Sequence, residues 1–435
     1  MNANEPAHWA GVCGREKIED DMTPAEIITI GTEIMTGQII NANARYIAEI
    51  LTEKGIRVLF QTSVGDDQEA LKSALKVASD RVRLIITTGG LGATANDVTR
   101  QAVSDFFRMP LVPDRESSMH LQKYFTNRHA SRKDEYRRQH LIPEGAAALD
   151  NDQGTATGFA VRHAEKELVC LPGVPGEMQS MLNKYLETSA RHRTRKGCSL
   201  TKNVHTFGVS ERTVEDAVKD CRACAEHLKA ITLVHNGVVT IHIHATATER
   251  NKAVKMLDTV ERKLQKKLGY AVFGSGEETL EDAVFALLKK KNKTIAVAES
   301  CTGGLVSDKL TNISGISQVF FQGVVAYSNK AKVDMLGVPE KLIMKHGAVS
   351  SPVAKAMATG IKKKASADIG VGITGIAGPT GATPGKPVGL VYLAVAEQGR
   401  VRMKKCRFRG SRTDVKNFSA NTALDMVRLT LLAVI

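Results

Sequence analysis

The sequence predicts an α/β protein in three consecutive parts, with an α/β domain at each end and a small α+β unit between them. Three observations carry that expectation. Short apolar, β-branched runs alternate with helical periodicity in both the first and the last third of the chain. A basic, small, non-periodic stretch at 188–200 (TSARHRTRKGCSL) separates the first third from the middle. The length of 435 residues, at about 150 per domain, accommodates two or three hydrophobic cores.

In chain order, 25–30 (AEIITI) reads as a buried strand ending at Gly31, and 43–54 is helical through Ile47, Ile50 and Leu51. A second strand is expected over 56–62, an amphipathic helix over 67–77, and a third strand over 84–88 running into Gly89-Gly90-Leu91-Gly92. This rhythm implies a parallel sheet covered on both faces, with ligands at the carboxyl ends of its strands. The first domain is placed at 22–187, with 1–21 as a disordered extension. The middle unit, 188–275, reads as a strand at 204–208, a helix at 213–229, the alternating strand 238–246 (VVTIHIHAT) and a helix at 250–268. The last domain, 276–435, opens with a connecting helix at 279–290 and a buried strand at 294–298.

Hydrophobic residues at 43% and charged residues at 24% exclude a disordered chain, and no apolar run of about twenty residues would span a membrane. Lys and Arg number 60 against 46 Asp and Glu, a net charge of +14 that favours anionic partners. The basic runs at 191–196, 289–293, 362–364 and 402–409 lack interleaved aromatics, so nucleic acid is not the expected partner and most of the excess is solvated surface. Seven scattered cysteines point to a reducing, cytoplasmic compartment rather than a disulfide framework. Cys221 and Cys224 share a helical pattern with no second pair, and His235, His242 and His244 lack a completing ligand, so structural roles are expected for all five.

Three constellations near the carboxyl end carry chemistry. The 294–298 strand stops at Glu299-Ser300-Cys301-Thr302-Gly303-Gly304 before a helix, which offers a nucleophile or free backbone N–H groups to an anion. The same turn also reads as a simple N-cap. Next, the strand 323–326 becomes polar at Tyr327-Ser328-Asn329-Lys330-Ala331-Lys332; Lys332 acting as a base would need its pKa lowered from about 10.4 by burial or a neighbouring cation. The third is a glycine-rich turn after a strand, Thr374-Gly375-Ile376-Ala377-Gly378-Pro379-Thr380-Gly381, continuing to Gly385-Lys386-Pro387-Val388-Gly389. It lacks the Gly-Lys-Ser/Thr ending of a P-loop, but such glycines let amides approach a phosphate or oxyanion.

The strings AESCTGG (298–304), GVVAYSNKAKVDMLGV (323–338), GAVS (347–350), GITGIAGPTG (372–381) and KPVG (386–389) closely resemble the carboxyl-terminal domain of the CinA family of competence- and damage-inducible proteins, known as a nicotinamide-nucleotide amidase. The resemblance implies hydrolysis of nicotinamide mononucleotide to nicotinic acid mononucleotide and ammonia, without a metal, in a homodimer. It places the catalytic set on Ser300, Tyr327, Lys332 and Thr374, and substrate binding on Thr302, Gly303, Gly304, Gly375, Gly378 and Arg412. Ser411 stands where the family has aspartate before that arginine. Attack on an amide needs an activated hydroxyl and a base, roles suited to Ser300 and Lys332, with Tyr327 as carbonyl or proton-relay partner. Cys301 is the rival nucleophile. The competing class is a non-catalytic nucleotide or molybdopterin binder, or a competence-associated interaction protein.

At the amino end, Ile30-Gly31-Thr32-Glu33-Ile34-Met35-Thr36-Gly37, Thr87-Thr88-Gly89-Gly90-Leu91-Gly92, 151–156 (NDQGTA) and 171–178 (LPGVPGEM) resemble the family's molybdopterin-binding-like domain, to which a metal-dependent ADP-ribose pyrophosphatase activity is assigned. The resemblance extends to a small linking domain in the middle. It implies a nucleotide site at Gly89, Gly90, Gly92, Asn151, Gly154 and Thr155, with Glu33 and Asp97 as ligands of a divalent metal ion. Asn96 and Ala93 replace the aspartate and proline of the family's G-G-L-G-P-T-x-D-D run, and the lost carboxylate weakens that expected metal site.

Overall fold

The structure, a computed structural model, describes residues 24–119, 121, 138–190, 198–222 and 228–434. The extension 1–21, the basic run 191–196 and Cys224 lie outside these residues. The chain divides into two compact units, one comprising Met1–Leu200 and Ala245–Lys255, the other Thr201–His244 and Met256–Ile435.

In the first unit β1 (Pro24–Ile30), β2 (Arg57–Val64) and β3 (Leu84–Thr88) are followed by a small antiparallel pair, β4 (Leu111–Pro113) and β5 (Leu141–Pro143), and then by β6 (Ala147–Leu149), β7 (Gly158–His163) and β8 (Lys166–Leu171). The main sheet runs β2-β1-β3-β8-β7-β6. Its first four strands are parallel, as the alternation of strands and helices predicts, whereas β7 and β6 are antiparallel. The reason is local: β7 and β8 are joined by the two-residue turn Ala164-Glu165, and a parallel pair requires a crossover of a dozen residues or more. Asn41 and Asp67 cap the helices Ala42–Glu53 and Gln68–Arg81 through their side chains. Ile47 and Leu51 of one pack with Ala25 and Ile27 on one face of β1, while Leu71 and Leu75 of the other join Ile28 and Ile30 on the opposite face. Each fully buried leucine or isoleucine among them contributes roughly 1.5–3 kcal/mol.

The middle segment forms a sheet of order β10-β11-β9-β12 from β9 (Cys198–Phe207), β10 (Leu228–His235), β11 (Val238–Ala247) and β12 (Val272–Ser275), with helices Glu211–Arg222 and Arg250–Leu268. The helix expected to reach residue 229 gives way to β10, where Leu228 and Ala230 are buried and Lys229 and Ile231 exposed. That period of two, with β-branched Ile231, Thr232 and Val234, specifies a strand.

The last domain carries β13 (Ile295–Glu299), β14 (Phe320–Val325), β15 (Ile369–Gly375), β16 (Leu390–Glu397) and β17 (Arg400–Arg407), ordered β14-β13-β15-β16-β17. β14, β13 and β15 are parallel, and the hairpin-linked β16 and β17 antiparallel. Ile295 and Val297 face one core, with Val284 and Leu288 of the helix Leu280–Lys291 and Val415 and Leu424 of the long helix Arg412–Leu431. Ala296 and Ala298 face the other, with Val353, Met357 and Ile361. The basic run 402–409 lies mostly on β17, an exposed edge strand whose charges resist edge pairing. The helix Arg412–Leu431 also receives the middle segment. Arg428, buried, pairs with Asp425 at 2.7 Å and donates to the Tyr270 carbonyl at 2.6 Å, while Asn421 Nδ2 donates to the Asn236 carbonyl at 3.0 Å. Among the described residues no helix is long and apolar enough to cross a membrane.

Glycine at 372 sets how closely the helix Ser351–Lys364 approaches β15, since a Cβ there would lie 2.4 Å from the Ala354 carbonyl oxygen and 2.5 Å from the Ala358 nitrogen. Gly372→Ala is expected to destabilise the carboxyl-terminal domain by roughly 1–3 kcal/mol, because both obstacles are backbone. Urea unfolding followed by circular dichroism measures it; unchanged stability would contradict this packing.

Candidate active site

The carboxyl ends of the parallel strands β13, β14 and β15 place Ser300, Tyr327 and Thr374 at one end of the last sheet. Lys332 sits in the first helical turns after β14, in the helix Asn329–Leu336, which Ser328 caps by accepting from the Ala331 amide. One turn of helix carries its side chain back toward the strand end, where it is 1% exposed. Lys332 Nζ lies 3.1 Å from Ser300 Oγ, 2.9 Å from the Ala326 carbonyl oxygen and 3.1 Å from that of Tyr327. Among the described residues no carboxylate pairs with it. Burial therefore lowers the Lys332 pKa from its ordinary value. Its amine donates to all three partners, and loss of one proton would turn a lone pair toward the Ser300 hydroxyl.

Cys301, the rival nucleophile, is buried in the hydrophobic core, and burial pushes its thiol up to about 12. A thiol in that state holds its proton at neutral pH and is a poor nucleophile.

Glu299, which the sequence reading did not select, determines the shape of the Ser300–Gly304 turn. Its buried carboxylate accepts from the amides of Gly304 at 3.0 Å, Val306 at 3.1 Å and Ser307 at 2.9 Å, and from Ser307 Oγ at 2.8 Å. The expectation of free N–H groups at this helix N-terminus is thus corrected, since Glu299 occupies them. Gly303 N donates to the Ser300 carbonyl at 3.0 Å, closing the turn. Thr302 is fully buried, and its hydroxyl has no partner.

Among the described residues the Tyr327 hydroxyl is hydrogen-bonded to Arg412 and to neither Ser300 nor Lys332. That hydroxyl accepts from Arg412 Nη2 at 2.9 Å, while Arg412 Nη1 donates to the Gly378 carbonyl at 2.8 Å. Arg412 opens the long carboxyl-terminal helix, whose N-terminus is closed by the Ser411–Asp414 capping box. Thr374, also buried, donates to the Ala348 carbonyl at 2.9 Å, and Gly375 ends β15 opposite Val391. The structure therefore forms two groups from the predicted residues: Ser300 with Lys332, and Tyr327 with Arg412 and Gly378.

In the first unit, Gly89, Gly90, Gly92 and Thr155 line a cavity of about 440 Å³ together with Glu33 and Asp97, at the carboxyl ends of β1, β3 and β8. Glycine is required at 89, where φ is 112° and a Cβ would meet the Ile30 carbonyl oxygen at 2.1 Å. Asn151 and Gly154 contribute differently. Asn151 accepts from the amides of Gln153 and Gly154, and donates to the Ala156 carbonyl and to Glu177. Glu177 and Asp66, which also line the cavity, were not selected from the sequence. Buried Arg100, whose pKa burial lowers to about 10, donates to the carbonyls of Leu91, Gly92, Gln139 and Thr157 and so ties the glycine turn to two other segments.

Two of the carboxylates at this cavity are already held by backbone and hydroxyl donors. Both Asp97 oxygens already accept bonds, from the Gly92 amide at 2.7 Å and from the amide and hydroxyl of Thr94 at 2.8 and 2.6 Å. Asp66 is held by the amide and hydroxyl of Thr32, and position 96 is a neutral asparagine. Among the described residues no three His, Cys, Asp or Glu side chains are grouped to hold a metal, at this cavity or around His235, His242 and His244.

Comparison with known proteins agrees with the three-part reading. Residues 26–192 match the model described as "Probable molybdopterin binding domain", 201–274 the "Damage-inducible protein CinA KH domain" and 277–431 the "CinA C-terminal domain". A CinA-like protein of Kosmotoga olearia is 42% identical over 414 residues, covering 94% of this chain and all of the relative. One from Dictyoglomus thermophilum is 39% identical over 407 residues, covering 94% and 99%. The crystal structure of a competence/damage inducible protein from Agrobacterium tumefaciens is 39% identical over 35% of this chain and 93% of its own, with a TM-score of 0.34. The chain belongs to the CinA family, with a molybdopterin-binding-like amino-terminal domain, a KH-like linking domain and a CinA carboxyl-terminal domain.

Proposed function

We propose that the chain hydrolyses nicotinamide mononucleotide to nicotinic acid mononucleotide and ammonia at the Ser300–Lys332 pair. Family membership supports a nucleotide-processing role. The observation that carries the finer reading is a buried lysine without a counter-ion, 3.1 Å from a serine hydroxyl at a strand end.

Neutral Lys332 takes the Ser300 proton as Oγ forms a bond to the amide carbon. The C–N bond then breaks, and the Lys332 ammonium returns that proton to the departing nitrogen, which leaves as ammonia. Water attacks the resulting Ser300 ester with Lys332 taking its proton; the ester C–O bond breaks as Lys332 returns that proton to Ser300 Oγ, and the released acid loses its own proton to solvent as the carboxylate. The Ala326 and Tyr327 carbonyls hold the amine in place throughout, and Arg412, oriented by Tyr327 and Gly378, holds the ribose phosphate. The Tyr327 hydroxyl bond supports an orienting role in place of a proton relay.

For the first unit we propose nucleotide binding at the glycine-lined cavity, without hydrolysis through a resident metal. Incubation with ADP-ribose and magnesium, manganese or cobalt is expected to leave the diphosphate intact; AMP formation with any of them would overturn this.

Ser300→Ala is expected to abolish ammonia release from the mononucleotide, by at least about a thousandfold in kcat. Cys301→Ala retains turnover, and the reverse pattern would exchange their roles.

The base must be neutral to act, so kcat is expected to rise with pH through a single ionisation below the ordinary lysine value of about 10.4. Burial lowers the folded-state pKa beneath the unfolded one. Folding therefore expels a proton between the two values, and stability falls as pH drops from about 10.4 towards the folded-state pKa. Lys332→Arg, permanently charged, should lose both the activity and its pH dependence; a flat wild-type profile to about pH 10 would oppose Lys332 as the base.

A further inference from the structure

Strand-to-helix turns ordinarily receive anions on their free amides. Here Glu299 takes the amides of Gly304, Val306 and Ser307, so a phosphate arriving at this turn would meet a fixed negative charge in place of donors. A different element faces the turn. On the helix Arg412–Leu431, Arg412 and Lys416 stand one turn apart on the same face. Arg412 is held by Gly378 and Tyr327, which leaves three of its five N–H donors for a ligand. Lys416 Nζ lies 3.8 Å from where a Cβ on Gly303 would stand, three residues beyond Ser300. Among the described residues no hydrogen bond or ion pair engages it. Asp414, the acid between the two cations, is committed to the amide and hydroxyl of Ser411.

We propose that Lys416 is a second phosphate-binding residue, acting with Arg412 on the 5′-phosphate of the mononucleotide and selecting it over the unphosphorylated riboside. The identity of the anion rests on the amide-hydrolysis reading. A phosphate monoester carries a charge of about −1.5 to −2 at pH 7, which two cations match. With the phosphate at the helix Arg412–Leu431 and the amide at Ser300, the substrate lies across the Gly303 side of the turn, and Glu299 is a positioning residue that excludes the opposite orientation.

The test compares kcat/KM for nicotinamide mononucleotide and for nicotinamide riboside in wild type and Lys416→Met. The preference for the mononucleotide is expected to fall by about tenfold or more, the scale of one hydrogen bond to a charged group, with the loss in KM. An equal fall for both substrates, or none, overturns the assignment. Calorimetric binding of ribose 5-phosphate to the full chain provides a readout without turnover: Lys416→Met and Lys416→Glu should weaken it and Lys416→Arg retain it. A protein that binds ribose 5-phosphate through Lys416 but releases no ammonia keeps the phosphate assignment and loses the amidase reading. Ammonia release with an unaltered preference in Lys416→Met does the reverse.

Discussion

Everything at the carboxyl-terminal site depends on placing one lysine amine in the interior without a counter-ion. Burying an unpaired charge is costly, and the protein answers by favouring the neutral form of Lys332 and satisfying it with two carbonyls and a hydroxyl. That arrangement needs the chain after β14 to turn at once into a helix, so that residues 326 and 327 present carbonyls to a side chain one turn later. It also needs β13 beside β14, so that Ser300 arrives at the same depth. The parallel pairing of two strands and the cap at Ser328 are thus conditions for the Ser300–Lys332 contact as well as features of the fold.

Much of this is legible in the residues. Alternation of apolar strands and amphipathic helices specifies the layers, and hydroxyl and glycine residues at strand ends mark where the chemistry gathers. The antiparallel strands are less visible, because a strand's own pattern does not record its neighbour's direction; the two-residue turn before β8 decides it. The helix that ends before β10 shows the same limit, with local periodicity outweighed by packing in a sheet.

Within the sites, residue types are easier to anticipate than partners. Ser300 and Lys332 meet, but Tyr327 turns its hydroxyl to Arg412, a pairing across 85 positions that no spacing reveals. Glu299 is silent in the sequence because a strand-end glutamate has no signature of its own. Its meaning arises only when three amides converge on it. At the amino-terminal cavity the departure at Asn96 is visible in the sequence, while the commitment of Asp97 to its own loop and of Asp66 to Thr32 on another is not.

The helix Arg412–Leu431 has 20 residues, a rod of about 30 Å, and its two ends serve different neighbours. Arg412 stands at the end beside Tyr327 and Gly378, whereas Asn421 and Arg428, the latter paired with Asp425, bond the linking segment. Cutting the chain before the last domain would strip Arg428 of the Tyr270 carbonyl and open a buried ion pair to water. The last domain and the linking segment thus share buried polar contacts along one helix. The linking segment acts as an end-plate that keeps the Arg428–Asp425 pair from water, and without it that pair would become an ordinary surface ion pair.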